Sequence, residues 1–159
     1  MADGGASNMI LLITALLICS AASAILIQSW TETASAVGIN QEQMALDSKT
    51  KVTFSGDIGQ TVCDAATERV TIYLQNSGTS ILDENNIGTF IEGSSSSVFS
   101  TTFLNGATIW SSGVVVEYVI EHTENLDCNE EIRVSAVVST VPVEGVIGSD
   151  SVTEVVKLG

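Results

Sequence analysis

Two patterns of apolar residues divide this chain. From Met9 to Ile27 apolar and small residues follow one another without a charge, whereas after Lys49 apolar and polar residues alternate in short runs. The first run is close to the ~20 residues that cross a hydrocarbon core as a helix. The alternation that follows has the period of two that turns one face of a strand to a core and the other to water. In "RVTIYLQ" the shared face is Val70, Ile72 and Leu74, and in "EIRVSAVVS" it is Ile132, Val134, Ala136 and Val138. "VVVEYVIE" groups Val114, Val116, Tyr118 and Ile120, while "KVTFS", "IGTFIEG", "SSVFSTTFL" and "SVTEVVKL" supply further strands. About seven strands between clusters of Gly, Asn, Asp and Ser, with no helical period among them, predict an antiparallel sandwich or open barrel. The fold class is therefore α + all-β: a long N-terminal hydrophobic helix followed by an antiparallel β-sandwich, immunoglobulin-like or similar. Residues 1–48 form the polar start, a membrane or filament-core helix over 9–28 and its extension, and residues 49–159 form the β domain.

Within the helix, Ala15, Cys19 and Ser23 recur every fourth residue and are small enough for two backbones to approach closely in a bilayer. Ile27, Trp30, Ala34, Val37, Gln41 and Met44 continue in steps of three and four, so one mostly apolar stripe runs on beyond the membrane surface. The candidates for helix self-association are Ala15, Cys19, Ser23, Ile27, Trp30, Ala34 and Val37, and Gln41 interrupts the stripe beyond them. The extension is expected to reach Leu46, with Gly38 as a point of kinking. Small residues also occur in membrane helices without marking a contact, and the stretch rich in Thr, Ser and Gln is alternatively a loose linker. Trp30 suits the membrane interface and Glu32 the water beyond it. Neither end has a basic residue within reach, so charge does not orient the span. "MADGGASN" also lacks the basic start of a secretory signal, which predicts an uncleaved segment, although "SAASA" has the small residues of a cleavage site.

The formal net charge is −14, with only Lys49, Lys51, Arg69, Arg133 and Lys157 as basic residues. A surface of that sign repels phosphate backbones and argues against nucleic-acid binding. The acids read first as a solvated, self-repelling skin. A sharper reading is a cation loop in "LDENNIG", where Asp83, Asn85 and Gly88 imitate the start of a calcium loop but Ile87 occupies a ligand position. His122, the single histidine, lies beside Glu121 and near Glu124, but adjacent residues of a strand point to opposite faces and would not converge on a metal. No GxSxG, CxxC or glycine-rich phosphate loop is present, so no enzyme activity and no cofactor are predicted. Cys63 and Cys128 lie outside the apolar run and could pair in an oxidising compartment or remain two buried thiols; spacing does not decide between these. "SSSSVFSTTF" is uncharged, hydroxyl-rich and aromatic, which makes Ser97, Val98, Phe99 and Phe103 the candidate partner-binding strand, with an ordinary strand as the plainer alternative.

The order of parts carries a resemblance. "ASNMILLITALLICSAASAILI", the strand and turn "IYLQNSG", "FIEG" and "IWSSGVVVEYVI" together resemble the archaeal flagellar (archaellar) protein G family, with protein F as its relative. The resemblance implies a non-enzymatic stator or accessory subunit of the archaellum, anchored in the cell membrane by its helix with the β domain outside the cell. It also implies partners: an archaellar protein F-like subunit or a surface-layer protein, lipid around residues 9–28, and further copies joined through the helix. The alternative is an archaellin or type IV pilin-like filament subunit, whose precursor would carry a basic cleavage motif that "MADGGASNMI" lacks. A second alternative is a secreted binding domain or enzyme with a removed signal, which would expose a cluster drawn from Tyr73, Phe99, Phe103, Trp110 and Tyr118.

Overall fold

The structure, a computed structural model, describes residues 3–123 and 126–159, with side chains from Ser7 onward. It begins with one helix, α1 (Asp3–Lys49), followed by β1 (Val52–Phe54), β2 (Cys63–Asp64), β3 (Arg69–Asn76), β4 (Leu82–Ile91), β5 (Ser94–Phe103), β6 (Val115–Glu121), β7 (Glu131–Thr140) and β8 (Ser149–Lys157). The chain divides into two compact units, Met1–Gln41 and Glu42–Gly159. Helix α1 passes through Gly38 unbroken and ends at Lys49, a turn beyond the expected Leu46. One glycine costs a helix about 1 kcal/mol, which a helix of this length absorbs.

All strand pairings are antiparallel, in the order β1-β3-β6-β5-β4-β7-β8, with β2 also on β3. The sheet curls until its ends meet. Asp150 on β8 accepts from the Val52 N–H of β1 at 2.9 Å, and the Thr61 N–H donates to the Lys157 carbonyl at 2.8 Å. The predicted inward faces form the core: Val70, Ile72 and Leu74 on β3, Val116, Tyr118 and Ile120 on β6, and Ile132, Val134, Ala136 and Val138 on β7 are all buried. Trp110 and Tyr118 fill its middle with ring centroids 5.7 Å apart, and the indole N–H donates to the Val114 carbonyl at 3.1 Å. Each buried aromatic thus has a partner for its polar tip, since the Tyr118 hydroxyl lies 3.3 Å from the Glu84 carbonyl.

Closure is incomplete at one seam. β4 pairs with β5 only through Thr89–Ile91 and Ser94–Ser96, while β5 remains paired to β6 from Ser97 to Phe103. On its other side β4 pairs with β7 through Ile87–Ile91 and again at Leu82, with a register shift between Leu82 and Ile87. The candidate cation loop is part of this bulged strand. Asp83, Asn85 and Gly88 therefore lie along extended backbone and do not converge on one cavity, since Asn85 lines the cleft against β5 without Asp83 or Gly88, and the Asp83 carboxylate is used locally, accepting from the Asn85 N–H at 3.0 Å.

Candidate assembly surface

The helix has no dry side. Its large apolar residues from Met9 to Ile27 are all at least 52% exposed, Trp30 is 72% exposed and Val37 48%. Among the described residues it is the one helix long and apolar enough to cross a membrane. Its hydroxyls are turned inward on its own backbone: Ser23 donates to the Cys19 carbonyl at 2.8 Å, Thr31 to Ile27 at 2.9 Å and Ser35 to Thr31 at 2.9 Å. A hydroxyl satisfied in this way can enter an apolar environment without an unpaired group. Ala15, Cys19, Ser23, Ile27, Trp30, Ala34, Val37, Gln41 and Met44 all lie on this helix, and Cys19 is a free, exposed thiol. Over Met9–Ile27 apolar residues surround the helix on every side, so Ala15, Cys19, Ser23 and Ile27 do not stand out as a stripe; beyond it Glu32, Asn40 and Glu42 share the surface with Trp30, Val37 and Met44.

The end of the β unit that carries helical residues Glu42–Lys49 is tightly stitched. Asn76 is fully buried, and its amide donates to the carbonyls of Ser80 at 2.8 Å and Trp110 at 2.9 Å while its oxygen accepts from the Gly78 N–H at 3.0 Å. The Ser77 and Gly78 N–H groups reach the Lys51 carbonyl, and those of Thr79 and Ser80 reach Lys49. The Gly78 backbone is not in the left-handed region that favours glycine in a turn. Glycine is required there because a Cβ would stand 2.2 Å from the Lys49 carbonyl oxygen. Gly148 serves the same purpose on the other side, where a Cβ would meet the Thr50 hydroxyl at 2.7 Å and Leu46 at 2.9 Å. Gln43 donates to the Ile147 carbonyl at 2.7 Å, and Asp47 accepts from the Ser149 N–H at 2.8 Å. The turn "QNSG" was legible as a turn; its service as the clamp on the helix end was not.

β5 is not a free edge along its whole length, as its composition had suggested, but it lacks a β4 partner from Ser97 onward. Val98 and Phe103 pack against the core, whereas Ser97 and Phe99 are exposed. The register shift between Val98 and Ser100 is a bulge, which re-aims Phe99 toward solvent. The Arg69 guanidinium lies 3.3 Å from the Phe99 ring centroid and 3.2 Å from the Glu121 carboxylate, so this aromatic is capped by a paired cation.

Cys63 and Cys128 form a disulfide with 5.5 Å between their Cα atoms, joining β2 to the loop before β7. Beside it the Asp64 carboxylate is held below the usual range by the Thr67 hydroxyl and then by the Ala66 N–H. His122 is buried, with Nδ1 3.1 Å from the Ser96 hydroxyl, while Glu121 faces Arg69. The two neighbours thus diverge; Glu124 lies outside the described residues. No group of His, Cys, Asp or Glu among the described residues could hold a metal.

A helix that exposes an unbroken apolar run from Met9 to Ile27, joined in sequence to a nearly closed antiparallel sandwich, defines a chain whose N-terminal segment needs apolar surroundings from outside itself. Residues 2–149 match the model of archaeal-type flagellin, and the chain belongs to that family. No curated protein matches it. The family is structural and non-enzymatic, and membership makes the chain a component of the archaellum, the archaeal motility filament, with association among its own copies.

Proposed function

We propose that this chain is an archaellin-type filament subunit, with the N-terminal helix packed among helices of other copies and the β domain on the outside. The observation that carries the reading is the family match over residues 2–149 on a chain whose helix exposes apolar residues on every face. A helix of this kind needs apolar surroundings on all sides, which lipid supplies before assembly and neighbouring helices supply afterwards. Ala15, Cys19 and Ser23 would allow close backbone approach, and Ile27, Trp30, Ala34 and Val37 would extend the contact. The Cys63–Cys128 bond supports a β domain outside the cell, because such bonds persist in oxidising surroundings. Ser97 and Phe99, on the half of β5 without a β4 partner, are offered for contacts between β domains.

The resemblance to archaellar protein G suggested instead a stator or accessory subunit held in the membrane and touching an archaellar protein F-like subunit or a surface-layer protein, a reading that the match to archaeal-type flagellin fits less well. Sheared native filaments separate the two. A filament subunit is recovered from them as a repeating component with many copies along the shaft, whereas recovery from the membrane fraction alone, in complex with surface-layer protein, would replace the filament reading by the stator.

A further inference from the structure

Three asparagines of the β unit stand in contrasting surroundings. Asn76, followed by Ser77, is buried; its amide is held by three hydrogen bonds, and the Ser77 N–H is spent on the Lys51 carbonyl at 3.0 Å. Asn129 is exposed but is followed by Glu130, whose side chain crowds the peptide nitrogen between them. Asn105 is exposed and is followed by Gly106, the one Asn-Gly pair in the sequence. It lies in the short turn Leu104–Gly106 between β5 and β6, with φ at 58° and ψ at 24°, a left-handed conformation that asparagine tolerates better than most residues. Gly106 follows at φ 71°, and a Cβ placed on it would meet nothing within 4 Å. The turn is closed by a long bond, from the Ala107 N–H to the Leu104 carbonyl at 3.3 Å.

We propose that Asn105 is a self-modification site, at which the folded chain converts its own amide to aspartate and isoaspartate with water as the only co-reactant. The Gly106 backbone nitrogen, after losing its proton to hydroxide, attacks the Asn105 side-chain carbonyl carbon. The new N–C bond closes a five-membered imide, the bond to the side-chain nitrogen breaks, and ammonia leaves with the proton returned. Water then opens the imide at either carbonyl. Opening at the side-chain carbonyl restores the original backbone with aspartate, and opening at the main-chain carbonyl leaves isoaspartate, whose backbone runs through the former side chain. At a ψ of 24° the attacking nitrogen stands on the far side of the bond from the side chain, so the turn has to rotate before it closes the ring. Gly106 permits that rotation because it has no side chain, lies in open space and populates both signs of φ. Rotation at Asn76 would instead break the clamp on the helical turns, an opening that belongs to the stable part of the fold. The product is a carboxylate within Gly93–Val116, a stretch that otherwise contains no charged residue. The inference stands apart from the filament reading, since it needs the β unit alone.

The test ages the full, unaltered chain in mildly alkaline buffer made with water labelled in its oxygen, and maps its peptides by mass spectrometry. Asn105 is expected to show the mass gain of an amide-to-acid exchange ahead of Asn76 and Asn129, with one labelled oxygen taken up. A protein isoaspartate methyltransferase is expected to label the same peptide, because only ring opening makes isoaspartate. Mildly acidic buffer should slow the loss, and Asn105→Gln should abolish it by requiring a larger and slower ring. Unfolding in denaturant should speed loss at Asn76 by roughly tenfold or more and leave Asn105 little changed, since only Asn76 is locked by the fold. An Asn105 that keeps its amide, or loses it no sooner than Asn76 and Asn129, overturns the proposal. So does conversion to aspartate alone without methyltransferase labelling, which would mean direct hydrolysis of the amide rather than attack by Gly106.

Discussion

In the helix every large apolar side chain between Met9 and Ile27 is at least half exposed, while in the sandwich alternate residues of β3, β6 and β7 are buried to the last few per cent. The two regions meet the cost of apolar surface in opposite ways. The β domain buries it within one chain, by alternation and curling, and its outside is left to acids. The helix has no such internal solution, because 3.6 residues per turn distribute an unbroken apolar run over the whole circumference. Its burial has to come from lipid or from other chains. The teaching of the contrast is that stability and assembly should be separable: changes in the sandwich alter folding, and changes in the helix alter association.

Four experiments sharpen or break that separation, ordered here by the expected size of the effect on folding. Trp110→Ala empties the centre of the core and removes the indole bond to the Val114 carbonyl, which keeps the Asn76 N–H, and should cost the β domain about 3–5 kcal/mol in denaturant unfolding of the detergent-held chain. Reduction of Cys63–Cys128, or Cys63→Ser with Cys128→Ser, releases a link across 65 residues and should cost about 4 kcal/mol in the chain-entropy account. Reduction that leaves the midpoint unmoved would mean that closure of β1 against β8 already restrains that loop.

Burial, followed by the charges of Glu84 and Asp83, pushes the Tyr118 hydroxyl well above its ordinary range. Unfolded tyrosine ionises at about pH 10, so above that point the unfolded chain binds fewer protons than the folded one. Stability is then complete below pH 10 and should fall by up to about 1.4 kcal/mol per pH unit above it, a decline that Tyr118→Phe removes. The smallest effect on folding is expected in the helix. Cys19→Phe should change β-domain stability by less than about 0.5 kcal/mol while disrupting association among copies. Normal filament formation by that variant would reduce Ala15, Cys19 and Ser23 to ordinary lipid-facing positions. A large loss of β-domain stability would break the separation itself.

Residue pattern alone determined the helix, seven of the eight strands and the inward faces of β3, β6 and β7, because burial imposes a period on the residues that share it. The eighth strand, Cys63–Asp64, is only two residues long, too short to display a period. Charge pattern was equally direct about nucleic acid, since five scattered basic residues among nineteen acids do not make a phosphate-binding face. Tertiary structure alone decided what depends on residues far apart in the chain. The union of Cys63 with Cys128 required β2 and the loop before β7 to come within reach, which spacing does not encode. Gly78 read as a flexible turn residue, and only the approach of the Lys49 carbonyl makes its missing Cβ essential. β5 read as a strand with an open edge, yet its edge is divided, closed to β4 near Ser94 and open beyond Ser96, alongside the stretch of β4 where the register shifts between Leu82 and Ile87.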